Sequence, residues 1–445
     1  MRPFNHIASG RMRMAVLWPV VMVLSVVAGC AAPDPPDPLP TFSVPTPASG
    51  VPTPASGVPT PASGVPTPAS GVPTPPVYPS PPPPTVPLPT PNVEPTHSPI
   101  PTLPGQSAEL PRDIGYDGDW WAVLFSPGAT GNRDNGQYIF DKLVGYIDAA
   151  QSSIHVAAFE TDLTPVAEAL ARARARGVDV RWVTDDRNGI DADGEPGRGQ
   201  FALMEAAGIP IRDDLRSAFM HNKFIIIDGR ILWTGSMNLT ANDVYRNNNN
   251  VVVVESPEVA AVYEAEFAEM WAGGFGPRST AQLGQDVLDR NGRPFVIRFA
   301  PEDEPLDALV QLVSLAERSV RFMAFSFTHD ELGAAMRERA AAGVDVRGIF
   351  ETFGSETIYS EMGPLFCAGI AVRQDGNPGM LHHKVIVIDD TVVVTGSLNF
   401  SNNAADSNDE NVLMLADTGI AGLYLEEFER RWDEASPPLP ADVDC

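Results

Sequence analysis

The feature that most constrains the fold of this chain is a motif that occurs twice without a gap. Its pattern is His, any residue, Lys, four residues, Asp, six residues, and then Gly-Ser-any-Asn. The fixed residues are His221, Lys223, Asp228, Gly235, Ser236 and Asn238 in the first copy, and His382, Lys384, Asp389, Gly396, Ser397 and Asn399 in the second. Two copies with identical internal spacing indicate that the chain repeats a structural unit.

Each copy of the motif predicts a pair of buried strands. The residues between Lys and Asp are apolar in both copies, at 224–227 and 385–388, which is typical of a buried strand. Because side chains alternate along a strand, each His shares a face with its Lys and lies opposite its Asp. We interpret both aspartates as structural residues that end the strand. The turn after each of them leads into a second apolar strand, which returns Ser and Asn to the His and Lys.

The chain before each motif is repeated as well. Helices are predicted at 138–150 and 165–176, and strands at 154–159 and 178–183. The pattern returns in the second half, where Leu309 corresponds to Leu143, and its offset exceeds that of the motifs, so the second connection is predicted to be five residues shorter. Alternating strands and helices predict an α/β fold with helices on the faces of a sheet. We divide this part of the chain into a first half, residues 106–278, and a second half, residues 279–445.

A site with two His, two Lys, two Ser and two Asn suits the chemistry of a phosphodiester. The lysines supply fixed positive charge and the Ser and Asn side chains supply donors, so together they are expected to hold the nonbridging oxygens without a metal. One His is expected to attack phosphorus, and the other to protonate the leaving oxygen and then activate water. No Cys/His cluster has the spacing of metal ligands, so no metal or other cofactor is expected.

The duplicated motif resembles the HKD motif of the phospholipase D superfamily, and the resemblance covers roughly residues 115–435. It implies two α-β-α sandwich halves related by a pseudo-twofold axis, with one motif from each half in a single shared cleft. It also implies phosphodiesterase activity through a phospho-histidine intermediate. Because both motifs lie in one chain, the expected state is a monomer.

The two halves differ at one place that bears on the mechanism. Glu410 lies downstream of His382, and the same distance from His221 leads to Asn249. In the superfamily, an acid near this place commonly forms a hydrogen bond with a catalytic His. A carboxylate behind an imidazole stabilises its charged form. We therefore expect Glu410 to support His382 as the protonated general acid, and His221 to be the neutral nucleophile, although sequence leaves open another partner acid, such as Asp243 or Asp406.

The N-terminal region predicts export and a lipid anchor. Residues 1–29 combine arginines with an apolar run that is short for a membrane span, which indicates a signal peptide. The run ends at Cys30, in a setting that resembles a bacterial lipoprotein signal, so Cys30 is the expected lipidation site. Residues 30–105 are rich in Pro, Thr and Ser, and a seven-residue repeat occurs four times at 44–71. This composition predicts a disordered tether between the membrane and the two halves.

Charge and lysine usage narrow the function. The chain has 30 Lys and Arg against 57 Asp and Glu, a net charge of −27, and this disfavours nonspecific binding to nucleic acid. Only three residues are lysine, at positions 142, 223 and 384, and two of them lie in the motif.

An exported setting also permits a disulfide between Cys367 and Cys445, which the sequence leaves open.

The leading interpretation is an exported, lipid-anchored phosphodiesterase of phospholipase D type, which hydrolyses phospholipid headgroup esters to phosphatidic acid. Its partners are then a phospholipid or other phosphodiester and, through the anchor, the membrane. Three alternatives stay open: a nuclease, a phosphatidyl transferase of cardiolipin-synthase type, and a noncatalytic surface binding protein. The intact His and Lys pairs argue against the last of these.

Overall fold

The computed structural model describes residues 115–117, 120–279, 281–289, 291–439, 443 and 445. The predicted signal peptide, the predicted lipidation site Cys30 and the predicted tether up to residue 105 lie outside these residues. Within the described ranges, no helix has both the length and the apolar character needed to cross a membrane.

The described chain forms two mixed sheets of eight strands each. The first sheet consists of β1 (Gly115–Asp117), β2 (Trp121–Phe125), β3 (Ser153–Ala158), β4 (Asp179–Thr184), β5 (Ile211–Asp213), β6 (Lys223–Ile227), β7 (Ile231–Gly235) and β8 (Asn250–Glu255). The second consists of β9 (Asp286–Leu288), β10 (Pro294–Ala300), β11 (Ser319–Ala324), β12 (Asp345–Phe350), β13 (Ala371–Gln374), β14 (Lys384–Ile388), β15 (Val392–Gly396) and β16 (Glu410–Ala416).

Ten α-helices accompany these strands within the described ranges. The first half contains α1 (Arg133–Ala149), α2 (Thr164–Ala175), α3 (Gln200–Ala206), α4 (Ala241–Tyr245) and α5 (Pro257–Ala272). The second half contains α6 (Pro305–Ser314), α7 (Asp330–Ala341), α8 (Met362–Cys367), α9 (Asn402–Asp406) and α10 (Thr418–Glu434). The first residues of α5 and α10 are related by the same offset as the two motifs.

The two sheets have the same internal order. The first runs β1-β2-β8-β7-β6-β3-β4-β5, and the second, read in the opposite direction, runs β9-β10-β16-β15-β14-β11-β12-β13. In the first sheet β3 pairs with β4 in parallel, and with the motif strand β6 in the antiparallel sense. In the second sheet β11 pairs in the same way with β12 and with the motif strand β14. The prediction of two repeated α/β halves is therefore confirmed.

Both faces of the motif strands are buried, which explains their continuous apolar sequence. On β6, Phe224 and Ile226 belong to one hydrophobic core, and Ile225 and Ile227 belong to another. The first of these cores is shared, because it also contains Tyr424 and other residues of the second half. The other core lies under the outer helices of the first half, and a third core lies under those of the second half. The stabilising free energy of burial is roughly proportional to the apolar area removed from water. The shared core therefore holds the two halves together.

The turn that follows each motif strand agrees with the structural role predicted for its aspartate. Asp228 accepts hydrogen bonds from the backbone N–H groups of residues 151–153, and Asp389 accepts them from residues 317–319. Burial raises the pKa of the Asp228 carboxyl, but these hydrogen bonds outweigh it and the pKa is lowered. Both aspartates adopt positive φ, at 54° and 52°, which Asp tolerates in turns.

The motif glycines allow a close approach between strands. Gly235 has φ 146° and Gly396 has φ 141°, a region that disfavours other residues. A Cβ on Gly235 would lie 2.3 Å from the carbonyl oxygen of Asn250, and one on Gly396 would lie 2.2 Å from that of Asn411. Only glycine therefore fits at the point where the returning strand brings Ser and Asn back to the His and Lys.

The C-terminus is tied to the second half by a disulfide. Cys367, at the end of α8, pairs with Cys445 across a sequence separation of 78 residues. Sequence permitted this pair without settling it, and the structure contains it.

Candidate active site

The two motif histidines are brought together by an exchange of backbone hydrogen bonds between the halves. The N–H of His221 donates to the carbonyl of Asp409 at 2.9 Å, just before β16 of the second half. The N–H of His382 donates to the carbonyl of Asn248 at 2.8 Å, just before β8 of the first half. Each half therefore pairs the segment before its own motif with the segment before the last strand of the other half.

Both imidazoles lie at one cavity of about 450 Å³. Each histidine is 7 % exposed, so a small part of each ring faces the cavity and the rest is enclosed. Other side chains that line the cavity include Phe159, Glu160, Arg198, Phe219, Asn238, Asp243, Phe325, Met380 and Asn399. The predicted single cleft, with one motif from each half, is present.

The prediction that Glu410 supports His382 is wrong. The Glu410 carboxylate lies 2.7 and 2.8 Å from Nδ1 of His221, in the other half. Nδ1 of His382 lies 2.9 Å from Oδ1 of Asn249, again in the other half. The physical reason is the exchange described above, since it carries the start of each last strand across the pseudo-twofold axis. Counting residues within one half located both partners but assigned them to the wrong histidines.

A second carboxylate, Asp243 in α4, lies near His382. Its Oδ2 is 3.7 Å from Nδ1 of that histidine and accepts a hydrogen bond from the backbone N–H of Asn238 at 2.6 Å. Burial raises the pKa of Asp243. The equivalent position of the second copy is occupied by Ala404, so the two histidines differ in this neighbour as well.

The motif lysines lie beneath the histidines. Lys223 is 4 % exposed and its Nζ donates to the backbone carbonyl of His221 at 2.8 Å. Lys384 is 1 % exposed and donates to the carbonyl of His382 at 2.9 Å. Burial lowers the pKa of Lys223 to about 8, and burial together with the charge of Lys223 lowers the pKa of Lys384 well below its usual value. Burial thus disfavours the charged form of both lysines in the free site, and a bound anion would favour it.

The same charges act on the histidines. Burial lowers the pKa of His221, and the Glu410 carboxylate opposes this effect. The pKa of His382 is lowered further, because burial acts together with the positive charges of Lys384 and Lys223. Both shifts favour the neutral imidazole in the absence of an anion.

The asparagines of the motif reach the cavity, whereas the serines do not. Asn238 and Asn399 line the cavity, and their Oδ1 atoms accept no hydrogen bond from the described part of the chain. Ser236 and Ser397 are fully buried and do not line it. Ser236 donates its hydroxyl to Oδ1 of Asn249 at 2.9 Å, so it orients the partner of His382. The expectation that both serines donate to a phosphate is corrected in this respect.

Sequence reasoning missed several residues that complete the site. The rings of Phe159 and Phe325 pack edge-on against the two histidines, with centroids at 5.0 and 4.9 Å. The Nζ atoms of the two motif lysines lie over these same rings, at 5.2 and 4.6 Å from the centroids. The two phenylalanines occupy equivalent positions in the repeat that precedes the motif, and this equivalence is the signal that identifies them.

Comparisons with known proteins agree with this geometry. The family described as "Cardiolipin synthase, PLD-like domain" matches residues 143–271 and 309–432. "Mitochondrial cardiolipin hydrolase" of Xenopus laevis is 43 % identical over 129 residues, which cover 29 % of this chain and 61 % of that protein. "Phospholipase D" of Rickettsia prowazekii (strain Madrid E) is 32 % identical over 154 residues, which cover 34 % of this chain and 75 % of that protein.

One solved structure extends the comparison across both halves. Phosphatidylserine synthase of Haemophilus influenzae Rd KW20 matches with a TM-score of 0.52 and 13 % identity, over 70 % of this chain and 85 % of that chain. At this identity the likeness concerns the fold. The chain spans about three fifths of the length of the cardiolipin hydrolase relatives that it matches.

Proposed function

The chain belongs to the phospholipase D superfamily, and from this premise we propose that it is a phosphodiesterase that hydrolyses phospholipid headgroup esters to phosphatidic acid and a free alcohol. One observation carries the proposal: two buried histidines from different halves face one cavity, and each is held at Nδ1 by a fixed partner. This arrangement leaves Nε2 of both rings for the cavity, which is what a two-step displacement at phosphorus requires.

We assign the nucleophile to His221. Its Nδ1–H donates to Glu410, so Nε2 carries the lone pair that attacks phosphorus as the bond to the leaving oxygen breaks. The phospho-imidazolium formed in this way keeps a positive charge for the whole life of the intermediate, and Glu410 supplies a permanent countercharge. Judged by pKa alone, a carboxylate would favour His221 as the acid. The lasting charge on the intermediate decides for the nucleophile, by the same logic as a carboxylate behind a catalytic imidazole.

His382 then acts as the acid and the base. Its neutral partner Asn249 and the nearby lysines make protonated His382 a strong acid. The negative charge of a bound diester, together with Asp243 at 3.7 Å, favours its protonation. Its proton passes to the leaving alcohol oxygen. In the second step, neutral His382 takes a proton from water, the water oxygen attacks phosphorus, and the bond from phosphorus to His221 breaks.

The lysines and asparagines would hold the nonbridging oxygens during both steps. Lys223 and Lys384 provide charge in a site from which most water is excluded, where electrostatic stabilisation is strongest. Asn238 and Asn399 present amide groups at the cavity wall. We propose that this set of donors and charges performs the chemistry without a metal at phosphorus.

The surface next to the cavity supports a lipid substrate. In the loop 351–361, Phe353 is 84 % exposed, Ile358 is 92 % exposed and Tyr359 is 73 % exposed. Phe353 lines a groove together with Phe325, which also lines the catalytic cavity. Exposed apolar side chains grouped in one loop are typical of contact with a membrane or another apolar partner. The names of the relatives, cardiolipin hydrolase and phospholipase D, point to the same substrate class.

We further propose that the protein acts outside the cytoplasm and is tethered through Cys30. The arginines and apolar run of residues 1–29 and the proline-rich segment 30–105 support this location. A tethered enzyme meets its substrate at the membrane surface, where the exposed apolar side chains of the loop 351–361 would contact lipid.

The test of the proposed function compares substrates under one condition. The full chain is incubated, with and without EDTA, with phospholipid vesicles and separately with single-stranded and double-stranded DNA and RNA. We expect release of the headgroup from lipid in both conditions, and a loss of at least about 10³-fold in His221→Ala and His382→Ala. Cleavage of nucleic acid without lipid turnover would identify a nuclease instead. A lipid alcohol in place of water in the product would identify a transferase.

Removal of the exposed apolar groups is expected to separate binding to a membrane from chemistry. The variant Phe353→Ser/Ile358→Ser/Tyr359→Ser should lower the turnover of vesicle phospholipid about tenfold or more, because each buried apolar side chain contributes about 1.5–3 kcal/mol to transfer from water. Turnover of a soluble diester such as bis(p-nitrophenyl) phosphate should stay unchanged.

The matched control replaces Leu315, which is 74 % exposed at the end of α6, by serine. Leu315→Ser should turn over vesicles like the unmodified chain. Equal loss on vesicles and on the soluble diester in the triple variant would show that the loop shapes the cavity rather than contacts lipid.

A further inference from the structure

A buried glutamate occurs at equivalent positions of the two halves. Basic side chains surround it in the second half, and further carboxylates lie near it in the first half. Glu427 in α10 is 1 % exposed and contacts His383, Arg430 and Arg431 at 3.3, 2.8 and 3.3 Å. Burial raises the pKa of Glu427, but the charge of Arg431, the hydrogen bond with His383 and the charge of Arg430 outweigh it, and the pKa is lowered. The charge of Glu427 is thus balanced by side chains of the protein.

The equivalent residue of the first half is Glu266 in α5, which is related to Glu427 by the offset of the motifs. It is 3 % exposed, and its Oε2 accepts no hydrogen bond from the described residues. The positions that supply His383, Arg430 and Arg431 in the second half are occupied here by Asn222, Glu269 and Met270. The repeat has therefore kept the buried carboxylate, but in the first half its surroundings contain another carboxylate instead of a cation.

A third carboxylate comes from the other half. One oxygen of Glu302, which follows β10, lies within 4.8 Å of one oxygen from each of Glu266 and Glu269. Oxygen ligands bind Ca²⁺ at about 2.4 Å, so three oxygens this close together surround a position that suits a single cation. Asp409 adds further negative charge nearby, and Arg216 forms an ion pair with Asp409.

We propose that Glu266, Glu269 and Glu302 form a binding site for a hard divalent cation, Ca²⁺, which joins the two halves. Three carboxylates and no His or Cys suit a cation that prefers oxygen ligands, which excludes the usual ligand sets of zinc. A site built from protein carboxylates suits Ca²⁺ better than Mg²⁺, because Mg²⁺ usually keeps several of its waters. The cation would take the place that Arg430 and its neighbours hold in the second half. This inference does not depend on the substrate proposed above.

The experiment measures cation binding to the full chain after treatment with a chelator and its removal. Titration with CaCl₂ by calorimetry should show binding, and a concentration of 100 times Kd should raise the melting temperature by about 4 °C. The rise should be absent in Glu266→Gln and in Glu302→Gln. MgCl₂ should give a smaller rise at the same concentration. If CaCl₂ leaves the melting temperature of the unmodified chain unchanged, Glu266 and Glu302 share a proton instead, and the proposal is overturned.

A charge-reversal variant provides a sharper test. Glu269→Arg places a guanidinium at the position equivalent to Arg430, so it should raise the melting temperature of the chelator-treated protein and abolish the response to CaCl₂. Asp214→Asn is the matched control, since it alters a separate group of carboxylates that also contains Asp185 and Asp186. That control should keep the response. A response lost in Asp214→Asn and kept in Glu266→Gln would place the cation elsewhere and refute the proposal.

Discussion

Replacement of His221 by asparagine is expected to lower kcat/KM for phospholipid hydrolysis by about 10⁵-fold, because the proposed nucleophile is then absent. Replacement of His382 by asparagine should have a different consequence. With a phosphodiester whose leaving group needs no proton, such as bis(p-nitrophenyl) phosphate, His382→Asn should form the phospho-histidine at His221 but hydrolyse it slowly. The expected observation is a burst of one equivalent of p-nitrophenol, followed by slow turnover.

The site of the covalent bond decides between the two histidines. Mass spectrometry of peptides from the quenched His382→Asn reaction should locate an acid-labile phosphoryl group on His221. A suitable control is His329→Asn, because His329 caps the N-terminus of α7 through its side chain and Asn is also a good cap. That control should turn over like the unmodified chain. A phosphoryl group on His382 in the His221→Asn variant would exchange the two roles.

This experiment has weight because the sequence and the structure support the same nucleophile for different reasons. Sequence spacing assigned Glu410 to His382 and left His221 without a carboxylate. The structure places Glu410 against His221, at 2.7 Å. The proposed role of His221 as nucleophile now depends on stabilisation of the positive intermediate rather than on a neutral environment.

Local periodicity predicted those parts of the site that depend on one strand. His221 and Lys223 share a face because alternation along a strand is a property of the backbone, and Asp228 lies away from the cavity for the same reason. The same argument covers the second copy of the motif. The repeat offsets likewise predicted two halves of one topology, since each half must bury the same apolar faces.

Contacts between the halves could not be predicted from spacing within a half. The pairing of the His221 segment with Asp409 depends on how two sheets meet, and nothing in the order of residues specifies which half Glu410 reaches. The roles of the serines were missed for a related reason. Ser236 lies next to the motif histidine in a strand diagram, but its hydroxyl bonds Asn249, which arrives from a later strand. The disulfide depended on where the last residue folds back, which is again a long-range contact.

The lysines show how the site trades stability for function. Lys384 is 1 % exposed, and burial and the charge of Lys223 lower its pKa well below the usual value. A buried ammonium whose charge is opposed by its surroundings destabilises the folded chain. It is retained, on the proposed mechanism, because the phosphodiester supplies the missing countercharge.

Replacement of Lys384 by methionine is therefore expected to move activity and stability in opposite directions. Loss of the positive charge next to the nonbridging oxygens should lower kcat/KM by about 10²–10³-fold, in the range found for removal of one stabilising donor from a transition state. Removal of the buried charge should raise the melting temperature by about 2–5 °C. Hydrolysis kinetics and thermal unfolding of the same preparation measure both effects.

The third lysine of the chain offers the matched control. Lys142 is buried in α1, where its Nζ lies over the rings of Tyr138 and Tyr146, away from the cavity. Lys142→Met should leave kcat/KM unchanged, so a loss confined to Lys384→Met would follow from charge at the site rather than from the loss of any buried lysine. A lower melting temperature in Lys384→Met would mean that its ammonium stabilises the fold through the His382 carbonyl at 2.9 Å. In that case the loss of activity could not be attributed to charge at phosphorus, and the opposition between stability and function at this residue would not hold.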